Sequence, residues 1–211
     1  MENTTTATRT APTGETSAPT MTRLAALRVI NESTPDMPVV VTCAATSREL
    51  ASIENRDNHF SVLDSMGLVG SIATGLALAV QDSEIPKVVG LEGDGSLLMN
   101  PNVLPTGGFL APEKLLLVVL DNAAYGSTAG LPTYTSKVDL GALAEAAGWT
   151  VARADTEASL AAEFRRLTGV PGPALLHVRI APGNAADIPK LLVDPVTITH
   201  RFRNWLARKL C

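Results

Sequence analysis

The chain has 211 residues, 45% of them hydrophobic, with a formal net charge of −4 and a pI near 5.4. That length fits one domain, and that apolar share excludes a wholly disordered chain. No basic block is present, which argues against nucleic acid or an anionic membrane as a partner.

Residues 1–20 are rich in Thr, Ala and Pro and lack the apolar centre of a signal peptide. They are expected to form a disordered tail on a cytoplasmic protein, with one folded domain over 21–211. Arg23 to Ile30 is expected to be a short helix. The β-branched run Pro38 to Cys43 is expected to be a buried strand, with Cys43 a small buried hydrophobe. Thr46 or Ser47 is the expected cap of a second helix carrying Arg48, Glu49 and Leu50. Glu49 and Glu54 are expected there as solvated surface charges. A short strand follows near Phe60 to Leu63, and then a Gly- and Ala-rich helix from Gly67 to Val80. That helix is apolar nearly all round and so is expected to be buried, but it is too short and too interrupted to span a membrane.

Lys87 to Glu92 is expected to be a strand ending in Gly93-Asp94-Gly95, and Lys114 to Leu120 a strand ending in Asp121-Asn122. Between them, 101–112 holds three prolines and two glycines, so any helix there is short or broken. Leu140 to Ala147 is expected to be helical, Trp149 to Arg153 a strand, and Thr156 to Leu167 a helix capped by Thr156 or Asp155. Ala174 to Ile180 is the last strand. Thr199 to Leu210 is an amphipathic helix with Phe202, Trp205 and Leu206 on one face. Two cysteines, Cys43 and a free Cys211, are too few for a disulfide framework or a zinc site. Apolar strands alternating with helices point to an α/β fold: a doubly wound, mostly parallel sheet with helices on both faces. Such sheets bind ligands at the carboxyl ends of their strands.

Two strand ends carry distinctive chemistry. Asp94 and Asn122 lie 28 positions apart, with a helix and a strand between them, which brings both side chains to one sheet edge. A carboxylate and an amide oxygen are hard ligands that suit Mg²⁺ or Ca²⁺ rather than zinc. Mg²⁺ commonly completes its shell with water and phosphate oxygens. Gly93 and Gly95 allow close approach of a diphosphate, and amides near Ser96 point to phosphate binding. Either string alone is an ordinary turn or loop. The two together, at strand ends with this spacing, mark a metal–diphosphate site.

These strings resemble the metal–diphosphate motif of thiamine diphosphate enzymes. Together with TSREL (46–50), SMG (65–67), GDGSLLMN (93–100), VVLDNAAYGST (118–128) and APGNA (181–185), they resemble the sulfopyruvate and phosphonopyruvate decarboxylase family, in particular its thiamine-diphosphate-binding β subunit. The resemblance runs from about Arg23 to Trp205. It implies thiamine diphosphate and Mg²⁺ as cofactors, with Asp94, Asn122 and the carbonyl of Ala124 as metal ligands. It implies that Gly93, Gly95, Ser96, Tyr125 and Gly126 surround the diphosphate, and that Met66 props the bent cofactor. Asp64 and Ser65 would flank it, the Asp64 backbone accepting from the cofactor's amino group. Two departures stand out: Asp64 and Ala123 occupy positions where the family usually has Gly.

The resemblance also implies a missing half. Thiamine enzymes need a pyrimidine-binding domain and an activating Glu, and neither Glu49 nor Glu54 matches that Glu. A second subunit is therefore expected to supply it. The implied reaction is decarboxylation of 3-phosphonopyruvate, or alternatively of 3-sulfopyruvate, to an aldehyde. Arg48, Ser127 and Thr128 are candidates for the substrate side. His177 is expected to be structural, His200 is a weaker candidate, and His59 stays open as a proton carrier. A non-catalytic, regulatory cofactor-binding subunit is a third reading, against which stand the two intact ligands.

Overall fold

A computed structural model describes residues 19–210. The expected tail and Cys211 fall largely or wholly outside those residues. The elements in chain order are α1 (Arg23–Ser33), β1 (Val39–Val41), α2 (Ala45–Ile53), β2 (His59–Ser61), α3 (Val69–Ala79), β3 (Val88–Gly93), α4 (Asp94–Met99) and α5 (Val103–Leu110). There follow β4 (Leu115–Asp121), β5 (Ala124–Tyr125), β6 (Leu131–Pro132), α6 (Leu140–Ala146), β7 (Thr150–Ala154), α7 (Glu157–Thr168), β8 (Ala174–Arg179) and α8 (Pro195–Leu210).

Six strands form one parallel sheet in the order β2-β1-β3-β4-β8-β7. The period-2 alternation of a strand divides its side chains between two helix layers. In β4, Leu116, Val118 and Leu120 join one core with α1 and α7. Leu115, Leu117 and Val119 join the other with α3, α5 and α6. All six are buried, as expected of a central parallel strand covered on both faces. Gly90 in β3 lets α3 sit close, because a Cβ there would stand 2.8 Å from Leu117 Cδ1 and 3.2 Å from Ala73 Cβ. The chain reverses direction of travel across the sheet between β1 and β3, and that switch point opens a crevice at the carboxyl ends.

Thr156 caps α7 with a reciprocal capping box through Ser159. The proline-rich segment 101–112 holds one short helix, α5, separated from α4 at Asn100–Pro101, in keeping with the short or broken helix its composition implied. Helix α8 starts four residues before the sequence pattern places it and packs Phe202 on Phe60 of the edge strand, ring centroids 5.3 Å apart. Trp149 lies outside β7; it is buried, with its indole N–H donating to the Leu104 carbonyl at 2.7 Å.

Other expectations need correction. Neither Thr46 nor Ser47 caps α2: both lie inside it, and the cap position is Ala44, at φ 63° and ψ −129° with no side-chain cap. Helix α3 is not buried all round; Ser71, Gly75 and Leu78 face outward. The hairpin β5–β6 has no counterpart in the sequence reading, because two-residue strands carry no periodic signal. No helix among the described residues is long and apolar enough to cross a membrane.

Candidate functional site

A cavity of about 370 Å³ opens at the switch point. The ends of β1, β3 and β4 supply its floor through Thr42 and Cys43, Gly93 to Ser96, and Asn122. Met66, Tyr125, Gly126 and Ser127 line it too, as do Arg23, Arg48 and Asn184. Ala124 lines it beside Asn122. Most of the residues singled out in the sequence therefore meet in one cavity.

The two carboxylates nearest this edge differ sharply. Asp94 is only 2% exposed, and its Oδ2 accepts the Thr133 hydroxyl at 2.6 Å. Burial pushes its carboxyl up to about 6; the Thr133 bond opposes that rise and the neighbouring Asp121 adds to it. Asp121 is buried too, and burial alone would raise it. The His177 ring at 2.8 Å, the Ala123 N–H at 2.9 Å and the Thr135 hydroxyl at 2.9 Å outweigh burial and hold it below the usual range. His177 is thus a partner of Asp121 inside β8, as its place in the strand implied. Asn122 Oδ1 accepts one bond, from the Ala124 N–H at 3.1 Å.

The glycines have distinct jobs. A Cβ at Gly93 would meet nothing within 4 Å, so its bareness leaves space in the cavity. A Cβ at Gly95 would stand 2.5 Å from the Tyr125 ring, so Gly95 is fixed by the packing of Tyr125 over the turn. The Ser96 hydroxyl is turned inward. It donates to Glu92 Oε1 at 2.5 Å and accepts from the Gly67 N–H at 2.8 Å, while the Gly70 N–H donates to Glu92 Oε2 at 3.2 Å. Burial pushes Glu92 up to about 7 against those bonds. This knot ties the end of β3 to the start of α3, and with it the turn that presents Met66.

Ala44, Asp64 and Ala123 all have positive φ, at 63°, 55° and 56°. A left-handed backbone is the physical reason a glycine suits positions 64 and 123. Asp64 is exposed, and neither it nor Ser65 lines the cavity; only Met66 of that turn does.

Several candidates fall elsewhere. Thr128 is exposed, and its hydroxyl donates back to the Tyr125 carbonyl at 3.0 Å rather than toward the cavity. His59 begins β2 and pairs with Val39, at the amino end of the sheet, so it is no proton carrier for this cavity. His200 is exposed on α8. Cys43 is half-buried and lines the cavity, where burial pushes its thiol up. Arg48 lines the cavity, its Nε donating to the Ala44 carbonyl at 3.3 Å. Glu54 is exposed as expected, but Glu49 is 1% exposed. It pairs with Arg23 at 3.0 Å and accepts the Ala185 N–H at 3.1 Å, pinning the 181–185 segment beside the cavity. Arg23 also donates to Asn184 at 3.0 Å. The sequence hint was an Arg at the head of α1 and a Glu inside TSREL, but their pairing spans 26 positions.

The residues present fit a bound diphosphate and a hard cation. A buried carboxylate with a raised proton affinity lacks a positive partner, the Asn122 amide oxygen lining the same cavity accepts one bond, and Gly93 leaves open space. No cluster of three or more His, Cys, Asp or Glu is set to hold a metal among the described residues. An oxygen-rich Mg²⁺ site with one carboxylate needs none.

Residues 41–178 match the family model described as "Thiamine pyrophosphate enzyme, C-terminal TPP binding domain". The chain is 39% identical to the sulfopyruvate decarboxylase subunit beta of Methanothermobacter thermautotrophicus, over 85% of this chain and 92% of that one. It is 38% identical to the phosphonopyruvate decarboxylase of Streptomyces viridochromogenes, over 90% of this chain but 48% of that one. It spans nearly the whole of the β subunit and about half of the phosphonopyruvate enzyme. The benzoylformate decarboxylase of Polynucleobacter necessarius shares its fold, with a TM-score of 0.66 at 22% identity over 77% of this chain and 33% of that one. The chain belongs to the thiamine pyrophosphate enzyme family, as a TPP-binding domain of its sulfopyruvate and phosphonopyruvate decarboxylase branch.

Proposed function

We propose that this chain is the diphosphate-binding subunit of a split thiamine-diphosphate-dependent decarboxylase acting on 3-phosphonopyruvate, and that it works only with a partner subunit. The observation that carries this reading is the cavity at the switch point, where Asp94, Asn122 and Ala124 meet the open side of Gly93. Asp94 and Asn122 would hold Mg²⁺ through side-chain oxygens, and Ala124 through its carbonyl. The amides of Gly95 and Ser96 lie in the first turn of α4, where backbone N–H groups lack helical acceptors and suit phosphate oxygens. Met66 would fill the space under the cofactor rings without competing for hydrogen bonds. When bound, thiamine diphosphate supplies the electron sink through which a 2-oxoacid loses carbon dioxide.

On the substrate side, Arg48 and Ser127 line the cavity and offer a cation and a hydroxyl to a phosphonate or sulfonate. A second reading, 3-sulfopyruvate as substrate, is favoured by the near full-length match to sulfopyruvate decarboxylase β subunits. The partner would supply the pyrimidine-binding domain and the activating Glu. Exposed apolar side chains suit a contact with it: Phe109 is 89% exposed, Met99 62%, and Leu68, Leu78 and Leu110 are also exposed.

The test is carbon dioxide release from 3-phosphonopyruvate and 3-sulfopyruvate by this chain co-expressed with its partner, plus thiamine diphosphate and Mg²⁺. Turnover of one substrate, abolished by Asp94→Ala, supports the reading and assigns the substrate. Cofactor binding with no turnover of either would favour a regulatory subunit.

A further inference from the structure

The loop after Asn122 does more than present a carbonyl. It returns through β5 and β6, and the next residue, Thr133, is 3% exposed and sits over the Gly93-Asp94-Gly95 turn. Its Cγ2 lies 3.4 Å from where a Cβ on Gly95 would stand, and its hydroxyl donates to Asp94 Oδ2 at 2.6 Å. Its backbone N–H donates to the Ala123 carbonyl at 3.0 Å. Thr135, two residues on, donates to Asp121 Oδ1 at 2.9 Å. The same Asp121 oxygen accepts the Ala123 N–H at 2.9 Å.

The two threonine oxygens are 3.0 Å apart. Two hydroxyl hydrogens serve three close contacts here, and the two to carboxylates take both of them. Each hydroxyl therefore has a fixed direction, and neither is free to swing toward the cavity. One oxygen of Asp94 is committed to Thr133, which leaves Oδ1 for a cation. The segment that follows the Asn122 end of the loop thus orients the carboxylate at the end of β3.

We infer that Thr133 is a positioning residue for the metal site, holding Asp94 in its ligating orientation, with Thr135 supporting it through Asp121 and the backbone of Ala123. The inference rests on the reading of Asp94 as a metal ligand. Outer hydrogen-bond partners of ligating carboxylates commonly govern metal affinity by roughly 10- to 100-fold. Thr133→Val keeps the shape and removes the hydroxyl, and Thr133→Ser keeps the hydroxyl and removes the methyl.

The experiment is Mn²⁺ binding followed by electron paramagnetic resonance, on the full chain in complex with its partner and saturated with thiamine diphosphate. Near-ultraviolet circular dichroism checks the fold of each variant. Thr133→Val weakens Mn²⁺ binding by roughly 10- to 100-fold, Thr133→Ser stays near wild type, and Thr135→Val falls between. Wild-type Mn²⁺ affinity in folded Thr133→Val, with binding lost in Asp94→Ala, overturns the positioning role while leaving the metal reading intact. Should Thr133→Val misfold, wild-type affinity in folded Thr135→Val together with a large loss in Thr133→Ser would overturn it instead. Unchanged binding in Asp94→Ala overturns the metal reading and the positioning role with it.

Discussion

The two ends of the sheet solve the burial of polar groups in opposite ways. At the amino end, Lys87 is buried and donates to the carbonyls of Glu113 at 2.5 Å and Val170 at 2.6 Å. Asn58 donates to the carbonyls of Thr34 at 2.8 Å and Met37 at 2.7 Å. At the carboxyl end, Asp94 is buried as a carboxylate with a raised proton affinity and no cationic partner, and Ala44 and Ala123 hold left-handed backbone that alanine disfavours. The amino end satisfies most of its buried polar groups on backbone carbonyls, with His59 Nε2 left unpartnered and Ala111 at φ 46° before β4 as exceptions. The other carries electrostatic and conformational cost, the usual signature of a site shaped for a ligand.

The largest expected effect is at the carboxyl end. Asp94→Ala removes a metal ligand and lowers carbon dioxide release by at least ~100-fold. Because it also removes a buried, unbalanced carboxylate, the melting temperature of the ligand-free chain holds or rises. A large fall in ligand-free stability would place Asp94 among the structural groups and break the contrast.

Next comes acid sensitivity at the amino end, where His59 is buried with Nε2 unpartnered. Burial, followed by the nearby Arg56 charge, pushes its pKa down to about 4 from an ordinary 6.5. The folded state therefore prefers the neutral ring. The stability this gives is full above pH 6.5 and is lost as pH falls toward 4, by up to about 3 kcal/mol. Thermal unfolding from pH 7 to pH 4.5 should show a shallower fall in His59→Leu than in wild type. Parallel curves would remove His59 from the account.

Lys87→Met leaves the half-buried Val170 carbonyl without its donor, while the Glu113 carbonyl keeps the Gly172 N–H, and costs about 1 kcal/mol by urea unfolding, with kcat and KM unchanged in the complex. The smallest effect is a gain. Ala44→Gly relieves a left-handed residue at the head of α2 and stabilises by about 1 kcal/mol. A loss at that position would mean that the backbone of Ala44 carries no strain.

How much of this was legible in the sequence follows from where each residue's partners lie. The apolar run of β4 and a cap at Thr156 are local patterns, and both appear in the fold as the sequence implied. Asp94 and Asn122 were legible because each closes a strand, and a parallel sheet carries strand ends to one edge. Glu49 was not, because a Glu in a short amphipathic helix looks like a surface charge until Arg23 and Ala185, 26 and 136 positions away, enclose it. Thr133 was hidden likewise, its partner lying 39 positions back. Ala44 left no trace, since nothing in an alanine announces a positive φ. The switch-point cavity was legible as a place, and its second layer only as three-dimensional contacts.

The most direct test of the central claim is calorimetric titration of thiamine diphosphate, and separately of thiamine, into the complex of this chain with its partner. Each is done with and without Mg²⁺, in wild type and in Asn122→Ala. Thiamine diphosphate is expected to bind only with Mg²⁺, thiamine far more weakly, and Asn122→Ala to lose the metal-dependent binding. Equal binding of thiamine and thiamine diphosphate, or Mg²⁺-dependent binding untouched in Asn122→Ala, would contradict a diphosphate and metal held at the ends of β3 and β4.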